Sequence, residues 1–381
     1  MMCKAQTAVF VPLFEKRKGE SVMKTKKIIA WALVASTLFA AGCGQNSAPV
    51  SPAPDAAENS TETPVQTEAS DPDAVVLQIG FENSITEPVG QALTRWQELV
   101  EEKGDGSIRI ELYPDSQLGS KNELIDSMLL GEPVCTLCDG SFYADYGVPD
   151  FSITYAPYLF ENWEQCWTLI ESDWYAEQSR LLEEKGLKLI SSNWIYGARH
   201  TLTTKKVEAL SDLKGLKIRV PNNRIQSLSF DNLSATSVGM DLGEVYQSLQ
   251  TGTIDGAENP LATLYGRKLQ EVAKYLLLDG HVLNFTTWVC SADFFNSLTP
   301  EQQTLLQETG KEAGLYNNEL QQASEDDYLQ MMVDEGVTVT EPSEELLTEL
   351  KDASSRIYQM EEEFGWSEGL YDTVRKAMGA E

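Results

Sequence analysis

The chain has 381 residues, with 29 Lys and Arg against 59 Asp and Glu and a formal charge of −30. Its length favours two lobes over one small domain. A field of that sign repels DNA, RNA and anionic lipid head groups, so nucleic-acid binding is excluded, and a bound anion would need a local pocket of arginine and backbone donors.

Residues 1–22 fit no targeting signal, and the run Glu15 to Glu20 can be written in purine-rich codons just ahead of Met23. Met23 is therefore expected to be the true start, with 1–22 an upstream extension. Lys24, Lys26 and Lys27 precede an apolar run from Ile28 to Ala41, followed by Gly42-Cys43. That run is too short to span a bilayer, and its order of basic, apolar and small residues is that of a secretory signal over 23–42. Its Ala-Ala-Gly-Cys ending makes Cys43 the expected lipidated residue, anchoring the protein to the outer face of the cytoplasmic membrane. Residues 43–73 are Ser, Pro, Ala, Thr and Glu with almost no large apolar side chain, a composition that cannot offset ordering entropy. They are expected to form a tether.

From Val75 the pattern becomes α/β. Val75 to Phe81 is a predicted strand, Thr86 a predicted cap for the helix carrying Val89, Leu93, Trp96 and Val100, and Ile108 to Leu112 a second strand. A helix over Lys121 to Leu130 and a buried strand over Val134 to Leu137 complete β-α-β-α-β, the opening of a doubly wound lobe. Helices near Trp163 to Glu171 and Asp173 to Glu184 lead to two extended runs, Leu187 to Trp194 and Thr201 to Thr204, joined through Ile195-Tyr-Gly-Ala-Arg199. Beyond them come a strand at Lys217 to Val220, a helix at Ile225 to Leu233, a strand at Ala235 to Val238 and a helix faced by Leu242, Val245 and Leu249. Thr299-Pro300 caps a helix that runs to Gly336, about 50 Å long and longer than one lobe is wide. The free cysteines Cys135, Cys138, Cys166 and Cys290 lie in apolar surroundings with two histidines in the whole chain, so buried thiols are expected rather than a zinc or redox centre. No cofactor motif is legible.

Single residues say less by themselves. Arg219, in the strand Leu216-Lys-Ile-Arg-Val220, is an ordinary ion-paired arginine; Arg199 is a hinge residue bonded to carbonyls. Asn259 before Pro260 is a ready helix cap. Asp139-Gly140 is a common turn pair, and Glu82 a solvated loop acid.

Their setting is specific. The block Leu213 to Pro260, with LKGLKIRVPNN at one end and SVGMDLGEVYQSLQTGTIDGAENP at the other, resembles the DctP-family solute-binding proteins of TRAP transporters, most closely their sialic-acid and sugar-acid branch. The resemblance implies a two-lobed periplasmic-binding-protein-like (type II) α/β fold with a hinge, braced by the long helix. It implies that Arg219 holds a ligand carboxylate, for which a planar guanidinium suits better than lysine. It also implies ligand contacts by Arg199 in the G-x-R crossover, by Asn259, by Asp139 where relatives carry glutamate, and by Glu82 after the first strand. Two acids opposite two arginines suit a polar ligand with one acidic end. The implied lobes are 74–196 with 285–324, and 197–284 with 325–381. Implied partners are an organic acid and the small and large TRAP membrane subunits, with the protein a monomer and no enzyme. Leu242, Asp241 and Tyr196 depart from the sialic-acid pattern, which leaves the acid open among uronate, aldonate, sialic acid and dicarboxylate. The binding half of a carboxylate sensor, or a secreted hydrolase with paired carboxylates, remain alternatives. The chain lacks G-x-S-x-G and H-E-x-x-H, which disfavours the hydrolase.

Overall fold

Two 17-residue strands organise the molecule. A computed structural model describes residues 74–380; the signal, Cys43 and the tether expected before them lie outside this range. In chain order the first elements are β1 (Val75–Gly80), α1 (Pro88–Lys103), β2 (Ile108–Tyr113), α2 (Lys121–Leu129), β3 (Val134–Cys138), α3 (Gly140–Tyr143), α4 (Trp163–Ile170), α5 (Asp173–Glu184) and β4 (Leu187–Thr203). Then follow β5 (Lys217–Val220), α6 (Arg224–Asp231), β6 (Thr236–Gly239), α7 (Val245–Gln250), β7 (Gly256–Pro260), α8 (Leu261–Gly266) and β8 (Tyr275–Ser291). The chain closes with α9 (Ala292–Ser297), α10 (Pro300–Asp334), β9 (Thr338–Thr340), α11 (Glu344–Ser354), α12 (Glu361–Phe364) and α13 (Leu370–Ala377).

The strands form one sheet in the order β2-β1-β3-β8-β4-β7-β5-β6, with β9 also on β8. β1 pairs in parallel with β2 and β3, and β5 in parallel with β6 and β7, so each end of the sheet is a small parallel lobe. The antiparallel pair β4 and β8 belongs to both. The two extended runs expected across 187–204 are thus one strand, and its register slips by bulges between Ile195 and Gly197 and between Arg199 and Thr201. A bulge bends a strand without ending it, which lets β4 turn from one lobe into the other. Gly197 sits there with φ of 133°, and a Cβ on it would lie 2.7 Å from the Pro260 ring. Backbone geometry and space both demand glycine.

The helix expected to start from a Thr86 cap begins at Pro88, with Glu87 in the cap position and Thr86 bonded to Ser84 instead. Proline's fixed φ suits the first helical position and sets that boundary.

Thr299 caps α10 with its side chain, as expected, and Gln302 completes a capping box. The 35-residue helix braces both lobes: Trp96 of α1 donates to Thr309 at 3.1 Å and Trp194 of β4 to the Gly310 carbonyl at 3.0 Å. Farther along, Met332 is buried with Leu264 and Leu276 of the second lobe. Gly310 explains the close approach, because a Cβ there would lie 2.8 Å from the Trp96 ring. Trp96, Trp194 and Trp288 are fully buried and stack edgewise beneath it, with centroids 5.2 to 6.0 Å apart. Residues from Ile357 onward return to the first lobe, where Trp366, Leu370 and Val374 pack with Phe151, Cys166 and Leu182. Cys135, Cys138, Cys166 and Cys290 are buried free thiols. No helix among the described residues is long and apolar enough to cross a membrane.

Candidate ligand-binding site

Parallel strands leave a crevice beyond their carboxyl ends, where loops diverge and backbone donors are unpaired. Glu82 follows β1, Asp139 follows β3, and Arg219 and Asn259 lie near the ends of β5 and β7. Arg199 reaches the same place from β4. All five line one cavity, partly open to solvent. Lys121, Asn284 and Gln226, which sequence reasoning did not single out, line it too, as do Tyr196 and Leu242. Asp241 lies on an adjoining recess that shares Glu82, Lys121 and Arg219.

The lobes meet across this cavity. Asn223 and Gln226 of the second donate to Ser141 of the first at 3.1 and 2.9 Å, and Arg267 pairs with Asp115 at 3.3 Å. Beside them Asn83 donates to Thr263 at 3.1 Å, to Tyr196 at 3.1 Å and to Glu87 at 2.6 Å. The lobes stand closed, with Arg199, Arg219 and Asn259 at most 3% exposed.

The two arginines are held differently. Arg199 forms a fork on Glu258, Nε to Oε2 at 2.5 Å and Nη2 to Oε1 at 2.7 Å, while Nη1 reaches Asn284 at 3.2 Å. Nη2 also donates to the Asn259 side-chain oxygen at 3.0 Å. Behind them His281 lies 3.2 Å from Glu258 and 3.3 Å from Asp279, and Asp279 accepts from the Thr201 hydroxyl at 2.7 Å. Burial would raise the Glu258 carboxyl, but Arg199 and His281 pull it down to about 2. Burial would lower His281, yet Asp279 and Glu258 raise it to about 9, so it is a cation at neutral pH. His200, whose Nδ1 accepts from the Gly280 N–H, is lowered by burial to about 4 and stays neutral.

Arg219 has no such partner. Its Nε donates to the Met240 carbonyl at 2.8 Å, and it makes no ion pair among the described residues. Burial lowers its proton affinity, with Glu82 and Glu258 acting the other way. An unpaired buried guanidinium costs several kcal/mol unless an anion arrives.

Asn259 does not cap α8, since Pro260 takes the cap position without a side-chain bond. With its oxygen fixed by Arg199, its buried Nδ2 has no partner, and neither has the Gln226 side-chain oxygen. Asp139 does act as a turn residue: it caps the short α3 by accepting from Ser141 N at 2.9 Å while lining the cavity. Glu82 is largely buried rather than solvated, 3.4 Å from Lys121. Burial would raise its carboxyl, but Lys121 and Arg219 hold it below the ordinary value.

Known proteins resemble this chain over most of its described length. The family model for bacterial extracellular solute-binding protein, family 7 (DctP) matches residues 79–363. The chain belongs to that family. A TRAP periplasmic solute-binding protein from Ochrobacterium anthropi, solved with bound L-fuconate, is 34% identical, with TM-score 0.77 over 80% of this chain and 99% of that one. One from Actinobacillus succinogenes 130Z, with bound L-galactonate, is 33% identical with the same score and coverage. The sialic acid-binding periplasmic protein of Vibrio cholerae is 28% identical over 75% of this chain and 88% of its own length. This family 7 protein is therefore an extracytoplasmic solute-binding component of a TRAP transporter. As a binding component it is not an enzyme, and the comparisons support neither the hydrolase nor the sensor reading.

Proposed function

We propose that the acid is a polyhydroxylated one, a sugar acid, held between the lobes with Arg219 on its carboxylate. The observation that carries this is Arg219 itself: a buried, forked cation without a carboxylate partner among the described residues, facing a cavity otherwise lined by hydrogen-bonding groups. Asn259 donates its free Nδ2 to the ligand, and Arg199 contributes its remaining Nη1–H besides fixing Asn259. Asp139 and Glu82 accept from hydroxyls on the opposite side. L-fuconate and L-galactonate, bound by relatives, have this division into one acidic end and a hydroxylated tail. Contacts to both lobes bias the equilibrium toward the closed form, which docks on the small and large membrane subunits.

The lobes so joined follow the expected 74–196 with 285–324 and 197–284 with 325–381, except that residues 357–380 pack on the first lobe's core and are assigned to it. Lipidation of Cys43 anchors the protein, as a monomer, outside the cytoplasmic membrane. A thermal-shift panel of aldonates, uronates, sialic acid and C4-dicarboxylates tests the ligand class. A sugar acid at 100 times its Kd stabilises the fold by about 2.7 kcal/mol; stabilisation by dicarboxylates alone would refute the proposal.

A further inference from the structure

The cavity contains a third cation, Lys121, at the first position of α2. A positive charge there faces the positive end of the helix dipole and is unfavourable for the helix. Its surroundings account for it: the ammonium lies 3.4 Å from Glu82 and 4.5 Å above the Phe142 ring. Burial would weaken the charged form, yet Glu82 and Asp139 are among the groups that raise its proton affinity. Lys121 is thus a charged residue held in the cavity by acids from two other loops.

The ionic pairing in the cavity leaves one position open. Arg199 is satisfied by Glu258 and Lys121 by Glu82, so among the described residues Arg219 is the cavity cation without a carboxylate partner. Asp139 adds negative charge that Ser141 stabilises with its N–H. A ligand carboxylate on Arg219 completes the third pair. A second carboxylate, at the other end of the ligand, would meet Lys121 only in competition with Glu82 and close to Asp139, in a closed site where like charges are poorly screened.

Building on the sugar-acid reading, we infer that the Lys121–Glu82 pair is a specificity device that admits monocarboxylates and rejects dicarboxylates of the same carbon skeleton. The pair offers a donor and an acceptor side by side, which suits neighbouring hydroxyls and a terminal CH2OH. It offers no net charge to a second carboxylate. Lys121 alone would favour a dianion, and Glu82 cancels that preference.

L-galactonate and galactarate share six carbons and all four inner hydroxyls, and differ only in a terminal CH2OH or carboxylate. Calorimetric titration of the unmodified protein at neutral pH is expected to give at least a tenfold tighter Kd for L-galactonate. Glu82→Gln keeps the shape and frees the Lys121 charge, so the preference is expected to shrink by tenfold or more through tighter galactarate binding. Lys121→Gln is expected to widen it. Equal affinities in the unmodified protein, or a Glu82→Gln variant with the parental ratio, would overturn the inference while leaving the sugar-acid reading intact. Failure of every sugar acid to bind would overturn both. The ratio in the unmodified protein needs no variant to fold.

Discussion

The two walls of the cavity hold their charges in opposite ways. On the β4–β7–β8 wall, Arg199, Glu258, His281 and Asp279 form a continuous buried network whose geometry is fixed by strand backbone on both sides. On the β1–α2–β3 wall, Glu82 and Lys121 form a single pair from a loop and a helix start, beside the recess that leads outward. On the proposed function, the inner wall sets where a carboxylate sits, by holding Asn259 and leaving Arg219 free, and the outer wall meets the ligand's other end. Leu242 and Tyr196 line the same cavity, Asp241 an adjoining recess, and the Tyr196 ring lies 5.9 Å from the Arg199 guanidinium.

The two acids therefore differ in what their loss costs. Glu258→Ala strands Arg199 and His281 in the interior and is expected to destabilise the fold by about 3–5 kcal/mol, as removal of one partner from a buried pair does. Glu82→Gln is expected to cost less, about 1–2 kcal/mol, since it is a single pair and the amide oxygen still accepts from Lys121. Denaturant titration of both variants checks the ranking, and equal losses would erase the distinction between the walls.

The junction between the walls supplies a pH-dependent effect. Glu87 lies beside Thr263 of the other lobe, and burial pushes its carboxyl up from 4.5 to about 7, against bonds from Ser84, Asn83 and Thr263. The folded state keeps the proton that the unfolded chain releases first, so Glu87 has no cost below pH 4.5; its cost grows as pH rises to 7 and then levels off. The shift corresponds to about 3 kcal/mol. Glu87→Gln should therefore unfold at a higher temperature than the parent near pH 8 and show little gain near pH 4. A gain independent of pH would remove Glu87 as the titrating group.

The sequence made the outer features of this site legible through local strings. Arg219 in its strand, Arg199 after Gly197, Asn259 before Pro260, and Asp139 and Glu82 after their strands all reach one cavity. What it hid are partnerships across long separations. Glu258 stands beside Asn259 in the same quoted string, but its partner Arg199 is 59 residues away; the available signal was an acid flanked by Ala257 and Asn259 in a strand without other charges, which demands a buried cation. Lys121 looked like any surface lysine on a helix, and its place at the unfavourable end of the dipole was the overlooked sign. Strand β8 was missed because Asp279-Gly280 has the composition of a turn. In the fold Asp279 is buried on Thr201 and the strand continues past it. The Thr86 cap failed for a local reason, the prior claim of Pro88 on the first turn.

The central claim is that one unpaired arginine anchors the ligand. Calorimetric titration of the best-stabilising sugar acid into the protein and into its Arg219→Ala variant tests it most directly. The variant is expected to lose about 2 to 5 kcal/mol of binding free energy, a weakening of roughly thirtyfold or more. Undiminished affinity in a folded Arg219→Ala protein would contradict the account.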